Sequence, residues 1–577
     1  DDGDIEMVYR KLRTLSNAQR PTHRHQYGVT MHNLATISWA QGRPKDALRE
    51  VSEAIDALSA TSASIELTSA LVLRLTVLAA TADWPAFEAR LADFEASAPA
   101  QRDPDASIDL ADLMDSYARP GEFLHLVRGL DVESHGPGFR RLLACAWARA
   151  HARRGEYEEA REVLREHAAP SSFILSASET LFTRAYVAFA AGAGDSLELA
   201  RLARDAAVRQ SAHRLARLSE LLVTMHGHGP LESTIVSEAR QAPWNLTFLA
   251  DLVIRRLEGL TVEALGSVQR VAKLHPGRWK SDLRLYIDSM GPDAPVQASR
   301  ILELIGDKAD VARLRTVARG KRRSAVDSNL GRSLARRVAE RVVVEDQGRV
   351  SIRVGDVVIA GSDVRRKVLG LVCLLITRPT MSATRDQVLE ALWPDLDPAV
   401  AVNSLNQTLY FLRRVFENPY VDDLSPGYVH HDSEIVWLDS ELVSSRSILC
   451  RELIRSTERP ASPDAVEAIV ELYRGRFALD FEYEEWAGAY RDNLHAAYLE
   501  IVERAVIDDF AAGQYDRGIS VARRVLEVDP SAEQIEVSLL RLYKATGAHA
   551  AAAEQYAHYA SAMRDDLGLD VPPLDAI

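Results

Sequence analysis

Residues 397–416 read DPAVAVNSLNQTLYFLRRVF, and this stretch decides how the second half of the chain is interpreted. On a helix with 3.6 residues per turn, its apolar positions share one face and its amide, tyrosine and arginine positions share the opposite face. The apolar line contains Leu405, Leu409, Leu412 and Phe416. The polar line contains Asn403, Asn406, Gln407, Tyr410 and Arg414. Amides can bond adenine edges and arginine can bond guanine or phosphate, so this line suits the DNA major groove. An ordinary surface helix is the open alternative.

Capping signals predict the start of this helix and the start of a shorter helix before it. Thr384 and Gln387 have the spacing of a capping box and predict a helix over residues 387–393. Asp397 can cap the next helix, and Pro398 suits its first position, where a missing N–H costs nothing. The sequence therefore predicts two helices joined by a tight turn.

Short strands are predicted before and after these helices. Alternating apolar residues bounded by turn residues mark five segments: 342–346, 349–354, 357–359, 428–431 and 435–438. In the second segment we expect Val350, Ile352 and Val354 to point inward. A three-stranded sheet, three helices and a terminal hairpin make a winged helix-turn-helix over residues 342–440, an α+β arrangement.

Two groups of segments resemble known domains. Residues 386–393 (DQVLEALW), 403–416 and 425–428 (SPGY) resemble the OmpR-type winged helix of the Streptomyces antibiotic regulatory protein family. Residues 473–480 (YRGRFALD) and 485–487 (EWA), with a long helix to about 512, resemble the bacterial transcriptional activator domain that follows it in that family. Here the pair comes after residues 1–311, so the regulatory input need not match any familiar member.

The resemblance implies a sequence-specific DNA-binding transcriptional regulator, an activator that recruits RNA polymerase. It also implies direct-repeat sites on double-stranded DNA bound by two protomers, and a polymerase contact through Pro394, Asp395 and Asp397. A tetratricopeptide scaffold that uses its winged helix for protein contacts is the alternative.

The candidate DNA-binding residues fall into three groups. For base edges we expect Asn403, Asn406, Gln407 and Tyr410, for phosphates Arg413, Arg414 and Arg366, and for the adjacent minor groove His430 and His431 in the wing.

The remainder of the chain is predicted to be helical, which makes the whole protein mainly α. Glycines recur five residues before a small residue at Gly42-x4-Ala47, Gly155-x4-Ala160, Gly513-x4-Gly518 and Gly547-x4-Ala552. The last two glycines are one tetratricopeptide period apart. We therefore predict a tetratricopeptide-like α-solenoid over 1–311, degenerate in 62–136 and 171–311, and a helical tetratricopeptide-like activator domain over 445–577. A curved solenoid has a concave surface for a protein, peptide or small-molecule effector, or a surface for a homodimer.

Charge is unevenly distributed along the chain. The net charge is -14, from 69 basic and 83 acidic residues, and a uniformly acidic protein is repelled by DNA. Residues 313–341 carry ten basic and two acidic residues, whereas 342–440 carry nine basic and fourteen acidic ones. We place most of the latter acids, Asp346 among them, in turns. The basic segment 312–341 is predicted to be a linker, either solvated or in contact with phosphates.

Several classes of protein are not supported by the sequence. It has no G-x-x-x-x-G-K-[ST], H-E-x-x-H or G-x-S-x-G motif, and Cys145, Cys373 and Cys450 lack metal-ligand spacing. We expect no catalytic residues, no metal and no cofactor. No apolar run approaches 18 residues and no leader is present, so we expect a cytoplasmic protein without a membrane span. Because the chain begins at Asp1 rather than methionine, we expect that an upstream segment was removed.

Overall fold

The protein is mainly helical and divides into two compact units, Asp1–Leu334 and Ala335–Ile577. The structure is a computed structural model. It describes residues 4–19, 23–61, 64–96, 104–118, 122–127, 132, 136–167, 176–320, 329–567 and 571–577.

Unit 1 is an array of helices. Its α-helices are α1 Ile5–Gln19, α2 Arg24–Ala40, α3 Pro44–Ser59, α4 Ser64–Ala80, α5 Trp84–Ala96, α6 Pro104–Leu113, α7 Glu122–Val127, α8 Pro137–Arg153, α9 Tyr157–His167, α10 Ser176–Ala190, α11 Ser196–Arg209, α12 His213–Met225, α13 Leu231–Gln241, α14 Pro243–Phe248, α15 Ala250–Ile254, α16 Val262–Leu274, α17 Pro276–Met290, α18 Val296–Ile305 and α19 Lys308–Gly320. A π-helical turn, Met114–Ala118, follows α6. Helix α20, Arg332–Arg337, contains the division between the units.

One turn geometry recurs between the paired helices of unit 1. After α2, Gly42 has a φ of +71° and the N–H of Arg43 donates to Ser38 O, the bond of a Schellman motif. The same left-handed residue and the same long bond occur at four further turns, around Ala82, Gly155, Gly192 and Ser211. Two of these residues are not glycines, although an L-residue in this conformation costs about 1 kcal/mol. The repeat therefore extends into the segments whose sequence repeats are degenerate.

The first helices of unit 1 also contact helices far along the chain. The ring of Trp39 lies 5.9 Å from that of Trp244, and Trp84 Nε1 donates to Leu274 O at 2.6 Å. Ile5 N donates to Gln210 O at 3.2 Å. These contacts link the early helices of unit 1 to helices about 200 residues later in the chain.

A cluster of ionised side chains is buried inside unit 1. The guanidinium of Arg278, with no exposed surface, has its Nε 2.8 Å from Asp282 Oδ2 and its Nη2 3.8 Å from Asp251 Oδ1. Tyr186 Oη donates to Asp251 Oδ2 at 2.7 Å. Burial raises the pKa of the Asp282 carboxyl, although the Arg278 charge acts in the opposite direction. Since each charge has an opposite partner, the cluster joins α10, α15 and α17.

Histidine 275 is a second buried polar contact between distant helices. Its Nε2 lies 3.1 Å from Ala79 O and 3.0 Å from Ala80 O, and its Nδ1 lies 3.0 Å from Thr247 Oγ1. Two carbonyl acceptors at Nε2 require that nitrogen to carry the proton. Burial lowers the pKa of His275 to about 4, because the charged ring would lose its hydration.

Unit 2 contains both sheets of the described chain. Its elements are β1 Val342–Glu345, β2 Ser351–Val354, β3 Val357–Ala360, α21 Arg366–Thr377, β4 Ser382–Thr384, α22 Arg385–Leu392, α23 Pro398–Phe416, β5 Val429–His431, β6 Ile435–Leu438, β7 Val443–Ser445, α24 Arg446–Ser456, α25 Pro463–Leu472, α26 Glu485–Ala511, α27 Tyr515–Val528, α28 Glu533–Ala545 and α29 His549–Leu567.

Each sheet has one more strand than the sequence predicts. The first has the order β3-β2-β1-β7, in which β7 runs parallel to β1 with Val342 opposite Val443. The second has the order β4-β6-β5, in which Ala383 of β4 lies opposite Val436. The expectation of a three-stranded sheet and a two-stranded hairpin was wrong. Strands β4 and β7 have only three residues, and their sequences carry no alternation that could identify them.

The sheets and α21 to α23 share one hydrophobic core with the start of the C-terminal helices. Val350, at 2% exposure, and Ile352, at 0%, point into this core as predicted. Phe477 and Phe481, which precede α26, belong to the same cluster. The predicted domains 342–440 and 445–577 therefore share core contacts and lie within one compact unit.

Backbone hydrogen bonds join the loop before α26 to the β1–β2 turn. Ala478 N donates to Asp346 O at 2.7 Å, and Gly348 N donates to Arg476 O at 2.8 Å. The loop is held from its other side by the buried Arg491, whose guanidinium donates to four main-chain carbonyls, those of Phe477, Ala478, Phe481 and Glu482. A cation that donates to this many carbonyls keeps a loop without regular structure in one conformation.

We predict that unit 1 loses stability in acid through His275. Its folded pKa, about 4, lies below the value of about 6.5 in the unfolded chain. The stabilisation is therefore complete above about pH 6.5 and is lost as pH falls towards 4, by up to about 3 kcal/mol. Because His32 has a similarly lowered pKa, His275→Gln, which stays neutral, should reduce but not abolish the loss of stability to urea between about pH 7.5 and about pH 5. His213→Gln, at an exposed position, is the control. An unchanged pH slope in His275→Gln would contradict this assignment.

We predict that Arg491→Met destabilises unit 2 by on the order of 3 kcal/mol, because four main-chain carbonyls, three of them in buried residues, lose a charged donor. The matched control is Arg504→Met on the same helix, whose side chain is 72% exposed. We expect this control to change stability by about 0.5 kcal/mol or less. Urea unfolding of a chain shortened to residues 335–577 measures both variants, and equal losses would disprove the role given to Arg491.

Candidate nucleic-acid interface

Helix α23 begins and packs as its sequence predicts. Asp397 Oδ1 accepts from Ala399 N at 2.9 Å, and Pro398 occupies the first turn. The predicted apolar line is buried: Leu405, Leu409, Leu412 and Phe416 are each 3% exposed or less. This line packs into the core beside α21, which fixes the rotation of α23 about its axis.

The predicted polar line of α23 faces away from the core. All five of its side chains are exposed: Asn403, Asn406, Gln407, Tyr410 and Arg414. Tyr410 is 49% exposed, and its ring packs edge-on against those of Phe411 and Tyr420. The exposed strip contains amide donors and acceptors, one phenol and one guanidinium, and no carboxylate.

Helix α22 precedes α23 and is fixed by local capping. Thr384 Oγ1 accepts from Gln387 N at 3.2 Å, and Gln387 Oε1 accepts from Thr384 N at 3.0 Å, which confirms the capping box. The turn between the helices, residues 393–397, exposes the three candidate polymerase-contact residues, Pro394, Asp395 and Asp397. Leu396 in the same turn is 43% exposed. This turn is accessible to a partner.

The hairpin β5–β6 carries both candidate histidines in different environments. His430 stacks on Trp437 with ring centroids 5.2 Å apart, and its Nε2 lies 3.6 Å from Asp439 Oδ2. His431 is exposed. Partial burial, followed by the positive charges of Arg413 and Arg385, lowers the pKa of His431. At neutral pH His431 can therefore offer hydrogen bonds to a ligand but not a positive charge.

The three candidate phosphate contacts differ in availability. Arg414 is exposed. Arg413 is partly buried and its Nη2 donates to Val429 O at 3.2 Å, a contact that joins α23 to the hairpin. Arg366 donates to Asp480 O at 3.0 Å and lies 3.3 Å from Glu484. Of the three, Arg414 has the most freedom to meet a phosphate.

Arg385 belongs to the same surface, although the sequence did not single it out. Its Nη2 lies 3.1 Å from Asn406 Oδ1, and its Nη1 lies 3.4 Å from Asp432 O at the hairpin turn. Its main-chain N–H donates to Glu434 O at 2.8 Å. Only its position directly after the capping residue Thr384 marks it in the sequence, and that position does not reveal a contact with α23.

The described part of the basic segment 312–341 is less free than a solvated linker. Arg313 and Arg315 lie in α19, where Arg313 Nε is 2.6 Å from Asp288 and Arg315, 5% exposed, donates to Leu330 O. Arg336 forms an ion pair with Asp439. Residues 321–328, with three further basic side chains, lie outside the described residues.

Asp346 lies in the β1–β2 turn, as the sequence predicts, and its side chain is completely buried there. Its carboxylate accepts from Ser445 Oγ and Ser447 Oγ, both at 2.6 Å, and from Ser447 N at 2.9 Å. Burial raises the pKa of this carboxyl, while these donors act in the opposite direction. Asp346 is therefore one acid of residues 342–440 that is held at the start of α24 and not in solvent.

Two other features were considered in the sequence, a membrane span and a metal site, and the described residues show neither. Among the described residues, no helix has the length and apolar composition needed to cross a bilayer. Within the same residues, no three histidine, cysteine or acidic side chains gather as metal ligands would. Cys145, Cys373 and Cys450 are buried as free thiols.

Comparison with known proteins identifies one part of the chain. Residues 438–574 match the family model described as the bacterial transcriptional activator domain. The match covers less than half of the chain and includes β7 and the helices α24 to α29. The comparison with curated proteins gave no match. Residues 438–574 are therefore similar to a domain of bacterial transcriptional activators.

Proposed function

We propose that this protein is a sequence-specific, DNA-binding transcriptional activator of bacteria. The observation that carries the proposal is the exposed polar line of α23, which is free of carboxylates and supported from behind by a buried apolar line. Two helices joined by a turn and followed by a hairpin form the geometry of a winged helix-turn-helix. The activator-domain match to the segment after it supports the same function.

In this proposal α23 enters the major groove. Asn403, Asn406, Gln407 and Tyr410 approach base edges, and Arg414 holds a phosphate. The hairpin with His430 and His431 reaches the neighbouring minor groove. Arg413 and Arg366 instead stabilise the surrounding structure, since each donates a hydrogen bond to a main-chain carbonyl of unit 2.

The exposed turn 393–397 and the activator domain are the proposed contacts with RNA polymerase. Leu396, 43% exposed between acidic residues, provides an apolar contact there. Two protomers on a direct repeat fit the family that the sequence resembles. The net charge of -14 limits non-specific affinity, so base contacts must contribute most of the selectivity.

Unit 1 is the proposed sensor. Its helix pairs offer surfaces for a protein, peptide or small-molecule effector, and the buried cluster around Arg278 joins α10, α15 and α17 behind them. Binding of an effector to unit 1 would then change the access of unit 2 to DNA or to the polymerase.

The first test is a gel-shift titration at two salt concentrations with promoter fragments. We expect binding that weakens with salt. Asn403→Ala and Gln407→Ala should each weaken specific binding by about 1 to 3 kcal/mol, because each removes an amide that bonds a base edge. Gln514→Ala, an exposed amide after α26, is the matched control and should bind as the unaltered protein does. No shifted band at any concentration would favour the scaffold alternative.

The second test concerns unit 1. We compare the full chain with a chain that starts at Ala335, the first residue of unit 2. If unit 1 restrains unit 2, the shortened protein should bind promoter DNA more tightly and raise transcription from a reporter. Equal affinity and equal transcription in both proteins would remove the case for inhibition by unit 1.

A further inference from the structure

Arg385 connects three elements of the candidate interface. Its main chain is bonded to Glu434 O, its Nη1 lies 3.4 Å from Asp432 O, and its Nη2 lies 3.1 Å from Asn406 Oδ1. The first two contacts hold it at the hairpin turn, and the third reaches the exposed line of α23. The guanidinium therefore contacts Asn406, one of the residues proposed to contact bases, from the side of the hairpin.

The chemistry of this pair determines the orientation of the amide. An asparagine amide has an accepting oxygen and a donating –NH2, and a half-turn exchanges the two. A guanidinium only donates, so the branch of Asn406 that faces Arg385 must be the oxygen. The –NH2 then occupies the other branch.

We infer that Arg385 is a positioning residue that sets which base edge Asn406 reads. The inference rests on the proposed DNA binding. With its –NH2 presented, Asn406 bonds a major-groove acceptor, which is a purine N7, guanine O6 or thymine O4. A cytosine at this position offers an amino donor and is rejected.

Two simpler roles of Arg385 make different predictions. As a phosphate contact, Arg385 would strengthen binding to every sequence alike and would contribute about one unit to the salt dependence. As a brace for the hairpin alone, it would affect folding without changing the preference for one base. Only a positioning role links Arg385 to the base preference of Asn406.

The experiment uses the full chain and a pool of duplexes with a randomised segment. The selected duplex is then remade with each of the four base pairs at every position. Relative affinities are measured for five single variants, Asn406→Ala, Asn406→Asp, Arg385→Met, Arg385→Lys and Arg414→Met, and for the double variant Arg385→Met with Asn406→Ala. Arg414→Met is the matched control, because Arg414 is an exposed arginine of α23.

We expect Asn406→Ala to lose about tenfold preference at one base pair. Arg385→Met should lose preference at that same pair and at no other, and Arg385→Lys, which keeps a donor, should retain most of it. Arg385→Met added to Asn406→Ala should cause no further loss of preference. Arg414→Met should weaken all duplexes alike and lower the salt dependence by about one unit.

Asn406→Asp tests the inference without altering Arg385, should Arg385→Met fail to fold. A carboxylate only accepts, so its preference should move to cytosine. An unchanged preference in Asn406→Asp, or a uniform loss of affinity in Arg385→Met, would overturn the positioning role. Selection of no sequence by the unaltered protein would instead refute the proposed DNA binding.

Discussion

The arrangement of unit 2 depends on one buried cation. Arg491 donates to four carbonyls of the loop before α26, and that loop in turn pairs with the β1–β2 turn. Through these contacts Phe477 and Phe481 enter the core on which α21 and α23 pack. The orientation of the exposed amide line is therefore tied to the activator-type helices. The loop before α26 and helix α23 therefore share one hydrophobic core.

Local signals were sufficient to predict the helices of the candidate interface. Thr384 with Gln387, and Asp397 with Pro398, define two helix starts through bonds that span no more than three residues. The rotation of α23 about its axis could be predicted because Leu405 and the other apolar residues of its line mark the buried face. The contacts of Arg385 and Arg366 join residues 21 and 118 positions apart, and such distant pairings leave no periodic pattern in the sequence. Strands β4 and β7, which exist only through their distant partners, were missed for the same reason.

In unit 1 the glycine spacing predicted the paired helices at Gly42 and Gly155 because glycine favours the left-handed conformation. The same turn at Ala82 and Ser211 could not be predicted, since neither residue type favours that conformation. There the buried faces of the adjoining helices stabilise a turn that the residue itself does not prefer. The sequence thus revealed the repeat only at turns where the residue type, glycine, favours the left-handed conformation that the turn requires.

The matched activator domain begins at residue 438, the last residue of β6. Its strand β7 completes a sheet whose other strands precede the match, and its Ser447 supplies hydrogen bonds to the buried Asp346. A genetic exchange that moved residues 438–574 alone would separate β7 from β1 and leave that carboxylate without its donors. Recombination between related chains should therefore preserve the sheet and helices α24 to α29 as one heritable block.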